Sequence, residues 1–153
     1  MVRFCIFAGM LFMSLVFSGC SNDDKYLFTR ISEKSSGVNF RNTLFEDGPL
    51  NVANYIYFYN GGGVAIGDIN NDGLEDVYFS GNIVANRLYL NKGNFQFEDI
   101  TEKAGVGAAQ GWKTGVTMAD VNQDGWLDIY VSRSAMGDSL LRKNLLFINN
   151  GDL

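Results

Sequence analysis

Gly63-Val64-Ala65-Ile66-Gly67-Asp68-Ile69-Asn70-Asn71-Asp72-Gly73-Leu74-Glu75-Asp76-Val77-Tyr78-Phe79-Ser80 returns without a gap as Gly115 to Ser132, 52 residues later. Nine of these eighteen positions are identical, and Ile69/Val121 and Val77/Ile129 are close equivalents. The echo continues downstream. Asn86-Arg87-Leu88-Tyr89-Leu90-Asn91 is answered by Asn144-Leu145-Leu146-Phe147-Ile148-Asn149 at an offset of 58, six residues having been added between Ser134 and Lys143. A fainter echo runs at 68 or 69 residues: Phe28, Ile31-Ser32-Glu33-Lys34 and Gly37-Val38 match Phe97, Ile100-Thr101-Glu102-Lys103 and Gly105-Val106. A period of 50 to 60 residues built from short, turn-bounded strands is the pattern of propeller blades.

β-Branched and aromatic clusters between Asn, Asp and Gly predict strands near 26–32, 55–59, 63–69, 76–80, 86–91, 95–100, 115–121, 127–132 and 144–149. Asn91-Lys92-Gly93-Asn94 reads as a hairpin turn, and Asn149-Asn150-Gly151-Asp152 as its copy. The connection 101–112 is expected to open with a helical turn. Tyr55-Ile56-Tyr57-Phe58-Tyr59, aromatic on both faces, reads as a strand buried under a neighbouring blade or loop.

Two acidic loops sit inside the repeat, each of the form D-x-N-x-D-G-x-x-D: Asp68, Asn70, Asp72, Gly73, Asp76, and Asp120, Asn122, Asp124, Gly125, Asp128. Oxygen ligands at positions 1, 3 and 5 converge when the chain curls tightly. Glycine at position 6 permits the bend, position 7 offers a carbonyl (Leu74, Trp126), and position 9 closes the shell. Carboxylates, an amide and a carbonyl suit calcium, whereas soft metals want His or thiolate ligands. Three carboxylates in one loop repel one another unless a cation neutralises them. Two Ca2+ sites are therefore expected, although Asp and Asn also populate ordinary turns by bonding to their own backbone.

The flanks separate this loop from its look-alikes. An EF-hand needs Glu at position 12 and helices on either side; here position 12 is Phe79 or Val131, and both exits read as strands. Dockerin modules run from loop into helix, and thrombospondin type 3 repeats bring cysteines. The segment instead resembles the FG-GAP/VCBS repeat of integrin-α-like β-propellers, in which the calcium loop joins the first two strands of a blade. Residues 57–68, Asn86 to Gly93 and Trp112 to Val116 look like the opening of large lipid-anchored VCBS/FG-GAP proteins of Bacteroidetes type, some with an ASPIC/UnbV domain further on. The resemblance implies an all-β fold, a partial β-propeller of about two blades. It implies metal roles for Asp68, Asn70, Asp72, Asp76, Asp120, Asn122, Asp124 and Asp128, and carries over no catalytic residue. Such propellers usually close with about seven blades, so the resemblance also makes 26–153 an incomplete propeller segment, the amino-terminal part of a longer protein, with open sheet edges and an exposed apolar face.

The amino terminus reads as an address. An apolar run from Phe4 to Phe17 follows Arg3 and ends in the small residues Ser18 and Gly19. As a helix it reaches only about 21 Å, short of a hydrocarbon core of roughly 30 Å. Cys20 comes next, in a setting that resembles a bacterial lipobox, with Phe17 where Leu is usual. Residues 1–19 are thus expected to be a lipoprotein signal peptide, Cys20 the lipidated residue, and 20–25 an acidic tether; Asp23 and Asp24 resemble a surface-export signal. Removal of 1–19 takes Cys5 away and leaves the acylated Cys20 with no disulfide partner. The expected location is the cell envelope, anchored in the outer membrane and displayed on the surface.

Composition narrows the chemistry. The chain of 153 residues has no histidine, which excludes His-based triads and His zinc cages. With 12 Lys and Arg against 17 Asp and Glu it offers no basic face for nucleic acid. Two function classes stay open. One is a calcium-braced scaffold or binding module whose partners are the membrane and a glycan or protein ligand on the propeller face. The other is a fragment of a secreted carbohydrate-active enzyme with a carboxylate pair. Glu33, Glu46, Asp47, Glu98 and Asp99 are the candidate carboxylates not committed to the loops, and each reads as a solvated strand or loop residue. Arg133, Arg142 and Lys143 make a weakly basic patch at the six added residues that reads as ordinary surface.

Overall fold

The computed structural model describes residues 26–46, 51–134 and 138–152. The signal peptide, Cys20, the tether and Asp47 lie outside the described residues. The chain divides into two compact units, 1–30 and 31–153. In the first, residues 26–30 contain neither helix nor strand.

The second unit holds two antiparallel sheets. β1 (Val64–Gly67), β2 (Asp76–Phe79), β3 (Arg87–Asn91) and β4 (Phe97–Asp99) lie side by side in chain order. β5 (Trp112–Ala119), β6 (Asp128–Ser134) and β7 (Leu145–Phe147) repeat the first three positions. The registers correspond: Ala65 faces Tyr78 as Thr117 faces Tyr130, and Tyr78 faces Leu88 as Tyr130 faces Leu146. Each acidic loop joins the first two strands of its sheet, as the repeat implied. A bulge between Lys113 and Gly115 interrupts the start of β5.

One core joins the sheets. Ile69, Tyr78, Leu88, Ile100 and Val106 pack with Ile129 and Val131, and Met118, Leu127 and Phe147 close around them. Gly63, just before β1, lies close against β5: a Cβ there would stand 2.7 Å from the Val116 nitrogen and 2.8 Å from the Gly115 Cα. Val64 and Ile66 of β1 are exposed, while Ala65 and Gly67 between them are buried.

Two expected strands are absent. Residues 55–59 form turns. Phe58 is fully buried and its ring lies 5.5 Å from Trp112, while Tyr55 meets the same indole edge-on at 5.2 Å and its hydroxyl lies 2.9 Å from Ser134 Oγ. Ile56, Tyr57 and Tyr59 stay exposed. The segment is thus an aromatic clamp on β5, because a dense aromatic run anchors equally well through two side chains of a turn. Nor is 26–32 a strand: Ser32 caps a short helix, α1 (Glu33–Ser36), by accepting the Ser35 N–H. The echo at 68 residues is real, but it copies this turn. α1 ends on Gly37 at φ 78° and α2 (Thr101–Ala104) on Gly105 at φ 68°, both left-handed caps. Apolar residues alone do not make a strand; it needs a hydrogen-bonded neighbour, which β3 supplies to β4.

Candidate metal centres

The two acidic loops are conformational copies. At position 4, Asn71 has φ 57° and Gln123 φ 64°; at position 6, Gly73 has φ 85° and Gly125 φ 90°. Positive φ at position 6 is what demands glycine there, since a Cβ crowds the following carbonyl.

The hydrogen bonds repeat as well. At position 1, Asp68 accepts the N–H groups of Asp72 (3.0 Å) and Gly73 (2.7 Å); Asp120 accepts those of Gln123 (2.7 Å), Asp124 (3.2 Å) and Gly125 (2.9 Å). At position 3, the Asn70 and Asn122 side-chain oxygens each accept the N–H two residues on, at 3.2 Å, and each amide nitrogen donates to the position-5 carboxylate. At position 5, Asp72 accepts the Leu74 N–H (2.8 Å) and Asp124 the Trp126 N–H (2.9 Å). The Trp126 indole lies against Gly151, whose Cβ, if present, would be 2.8 Å from Cε2.

Position 9 differs in kind. Asp76 and Asp128 are buried, whereas Asp72 and Asp124 are exposed. Asp76 Oδ2 accepts the Ile69 N–H (2.9 Å) and Oδ1 the Asn91 N–H (2.7 Å). Asp128 does the same for Val121 (3.0 Å) and Asn149 (2.8 Å). Each carboxylate therefore pins the start of its loop to the end of the third strand. Burial pushes the Asp76 carboxyl above its usual range, opposed by these two N–H bonds and reinforced by the charges of Asp72 and Asp68.

Among the described residues no three acidic side chains are gathered into a cluster that could hold a metal as they stand. The donor set nevertheless fits a hard cation: each loop contributes three carboxylates, one amide oxygen and one main-chain carbonyl on a tight curl. A carboxylate offers about four lone-pair positions, so oxygens bonded to N–H groups keep capacity for an ion.

Residues 68–131 match the FG-GAP-like repeat family. Over this stretch the chain carries an FG-GAP-like repeat. It is 39% identical over 72 residues to cartilage acidic protein 1 of Xenopus tropicalis, a match covering 46% of this chain and 11% of that protein. It is 31% identical over 107 residues to integrin alpha-8 of Gallus gallus, covering 61% of this chain and 10% of that protein. The human cartilage acidic protein 1 is 36% identical over 72 residues, 46% of this chain and 11% of that protein. The chain thus spans about a tenth of the length of the curated relatives it matches. The matched stretch holds both acidic loops and runs from the end of β1 into β6, so the two antiparallel sheets are consistent with a partial all-β, FG-GAP-like repeat fold.

Sequence reasoning missed the asparagines that frame this FG-GAP pair. Asn82 is buried and donates through Nδ2 to the carbonyls of Gly61 and Lys113, both at 2.8 Å, while exchanging bonds with Asn42. Asn86 and Asn144 are repeat partners: each accepts a main-chain N–H and donates to a tyrosine hydroxyl, Tyr78 or Tyr130. Asn91 and Asn149 are another such pair, each holding a hairpin glycine N–H, of Gly93 or Gly151. The recurrence of Asn86/Asn144 and Asn91/Asn149 at matched repeat positions marked those four without showing what they hold, and Asn82 has no such counterpart, Ser134 standing at its matched position. Lys113 was missed too. It is buried and its Nζ has no hydrogen-bond partner among the described residues.

Four of the candidate carboxylates outside the loops have local partners. Glu33 pairs with Arg41 (3.1 Å), Glu98 with Lys92 (3.6 Å) and Asp99 with Arg87 (3.6 Å), and Glu46 accepts the Tyr59 hydroxyl. Asp99 also accepts the Thr101 N–H at 3.0 Å.

Proposed function

We propose that the two loops are calcium sites that brace adjacent blades of a binding module, held at the cell envelope by a lipidated Cys20. One observation carries the metal reading: two segments 52 residues apart adopt the same curl, with the same acceptor at each corresponding position. Asp68, Asn70, Asp72 and Asp76, with the Leu74 carbonyl, would hold one ion; Asp120, Asn122, Asp124 and Asp128, with the Trp126 carbonyl, the other. A bound calcium ion supplies positive charge that offsets carboxylate repulsion. The chain's own part is to preset the loop: the position-9 aspartate fixes its two ends, and glycine sets its bend.

The cell-envelope setting rests on the sequence of residues 1–24, with the outer membrane, outward facing, as the proposed location. The partner on the propeller face is a glycan or a protein. The local pairing of Glu33, Glu98 and Asp99 favours this binding role over a carboxylate-pair enzyme.

Calorimetric titration of the metal-stripped protein with calcium tests the reading. Two sites are expected, falling to one in Asp72→Ala and in Asp124→Ala. Folded protein that takes up no calcium refutes it.

A further inference from the structure

The two loops touch. Asn71, at position 4 of the first, donates through Nδ2 to the carbonyl of Gly125, at position 6 of the second, at 3.1 Å. A second link runs through the hairpin after β7. Asn149 donates its main-chain N–H to Asp128, position 9 of the second loop (2.8 Å), and its side-chain amide to the carbonyl of Ile69, position 2 of the first (2.8 Å). Ile69 in turn gives its N–H to Asp76, position 9 of the first loop (2.9 Å). A continuous hydrogen-bonded path, Asp76–Ile69–Asn149–Asp128, therefore connects the position-9 carboxylates of the two candidate sites. Asn91, the counterpart of Asn149, binds Asp76 in the same way, and both side-chain amides donate to the position-8 carbonyl of their own loop, Glu75 for Asn91 (2.9 Å) and Leu127 for Asn149 (3.2 Å). Only the Asn149 side chain, of this pair, reaches across to the other sheet.

We propose that calcium binding at the two loops is positively coupled, with Asn149 and Asn71 as the residues that transmit the coupling. This rests on the calcium reading of the same loops. The physical reason is that both links end on groups whose positions define a site. Ile69 carries both the N–H that holds Asp76 and the carbonyl that accepts from Asn149. The Gly125 carbonyl belongs to the residue whose left-handed backbone sets the second bend. An ion held by one loop restrains the ligands between its anchors and, through these bonds, the backbone of the other loop, so part of the ordering that the second ion requires has already been done. The path is made of direct bonds between two ordered loops.

The test uses the whole chain and compares the calcium affinity of each loop with its partner loop competent or disabled, by calorimetry and by tryptophan fluorescence, since Trp126 sits in the second loop. Asp72→Ala disables the first loop and Asp124→Ala the second. Coupling predicts that each remaining site binds about 5-fold more weakly than in the two-site protein, and by the same factor in both variants, because linkage is reciprocal. Asn71→Gly keeps the left-handed backbone and removes one bridge. Asn149→Asp keeps the oxygen that holds Gly151 and removes the amide donor to Ile69. In the doubly substituted chain two ions still bind, but disabling one loop no longer changes the affinity of the other. The readout is a ratio of affinities, so the charge added at 149 cancels. Affinities within 2-fold between the two-site chain and the single-site variants overturn the coupling while leaving the calcium sites standing. No calcium uptake by folded chain overturns the metal reading, and the coupling with it. The comparison with Asp72→Ala and Asp124→Ala does not depend on either asparagine variant folding.

Discussion

Replacing Lys113 with methionine should stabilise the protein at neutral pH and lose that advantage at high pH. Lys113 is buried, its Nζ finds no partner among the described residues, and Arg133 stands directly opposite it in the β5–β6 register. Burial, and after it the Arg133 charge, push the ammonium down from the ordinary 10.5 to about 8. The unfolded chain therefore binds this proton more tightly than the folded one. Stability rises with pH between about 8 and 10.5, and the full cost is present below about 8. That gap corresponds to roughly 3 kcal/mol at pH 7. Methionine keeps most of the apolar stem, and the main-chain bonds of Lys113 to Asn82 do not involve the side chain. Lys113→Met is thus expected to gain about 1–3 kcal/mol at pH 7, as replacement of a buried unpaired charge commonly does. Urea unfolding followed by tryptophan fluorescence, run on both proteins from pH 7 to 11 at fixed calcium, gives the difference directly; tyrosine titration is common to both and cancels. The difference should hold to about pH 8 and fall towards zero by about 10.5. No gain at pH 7, or a gain that does not change with pH, would refute an unpaired buried ammonium at this position.

With extracellular-type affinities of about 10⁻⁴ to 10⁻³ M, 1 mM calcium should add roughly 0.4 to 1.4 kcal/mol of stability per site. Asp72→Ala or Asp124→Ala should remove one increment and Glu75→Ala, outside the ligand positions, none; magnesium should substitute poorly, as thermal melts with either ion would show. Asp76→Asn should cost about 1–3 kcal/mol even without calcium, because one of two N–H groups bonded to a buried carboxylate loses its acceptor; Asp72→Asn at its exposed position should cost less in the same chelator-treated denaturation series. Gly63→Ala should destabilise, reversing the gain of about 0.5–1 kcal/mol that alanine usually brings over glycine, since its Cβ would meet the β5 backbone at 2.7 Å; unchanged urea midpoints would contradict that close approach. Cys20→Ser should abolish incorporation of a fatty-acid analogue, and an untagged mature wild-type protein would sink the lipid anchor.

What the sequence shows plainly is whatever is written locally and twice. The curl of each loop depends on neighbours within nine positions, so the spacing of Asp68, Asn70, Asp72, Gly73 and Asp76 is enough to foresee it. The hairpin at Gly93 and the helical turn at Thr101 are equally local, and both are where they were expected. The misreadings have a common cause. Residues 55–59 carry strand-like composition, but Phe58 and Tyr55 are fixed by Trp112, more than 50 positions away. Residues 26–32 echo 95–100, yet the echoed structure is the glycine-capped turn that follows. Asn82 and Asn149 look like turn residues in sequence. Their roles depend on Gly61, Lys113 and Ile69, which only the packed sheets bring within reach.

Position 9 joins the local and the non-local. Read along the chain, Asp76 and Asp128 are the last ligands of a metal loop, and the neighbouring acidic residues give no reason to set them apart. In the fold they are the buried pair, each holding two main-chain N–H groups that belong to different strands or loops. Substituting position 5 therefore strikes an exposed carboxylate whose structural task is one turn, whereas substituting position 9 strikes the loop and the sheet together. It follows that calcium loss and Asp76→Asn should not be equivalent. Stripping the ion leaves the anchors of the loop bonded, so the sheets persist; removing the anchor loosens the third strand whether or not an ion is present. Amide exchange separates the two cases. Chelation should raise exchange within 70–75 and 122–127 alone, while Asp76→Asn should also raise it at Ile69 and Asn91, the two residues whose N–H groups Asp76 holds. Protection at Asn91 that survives Asp76→Asn would show that the ladder, and not the carboxylate, fixes the end of β3.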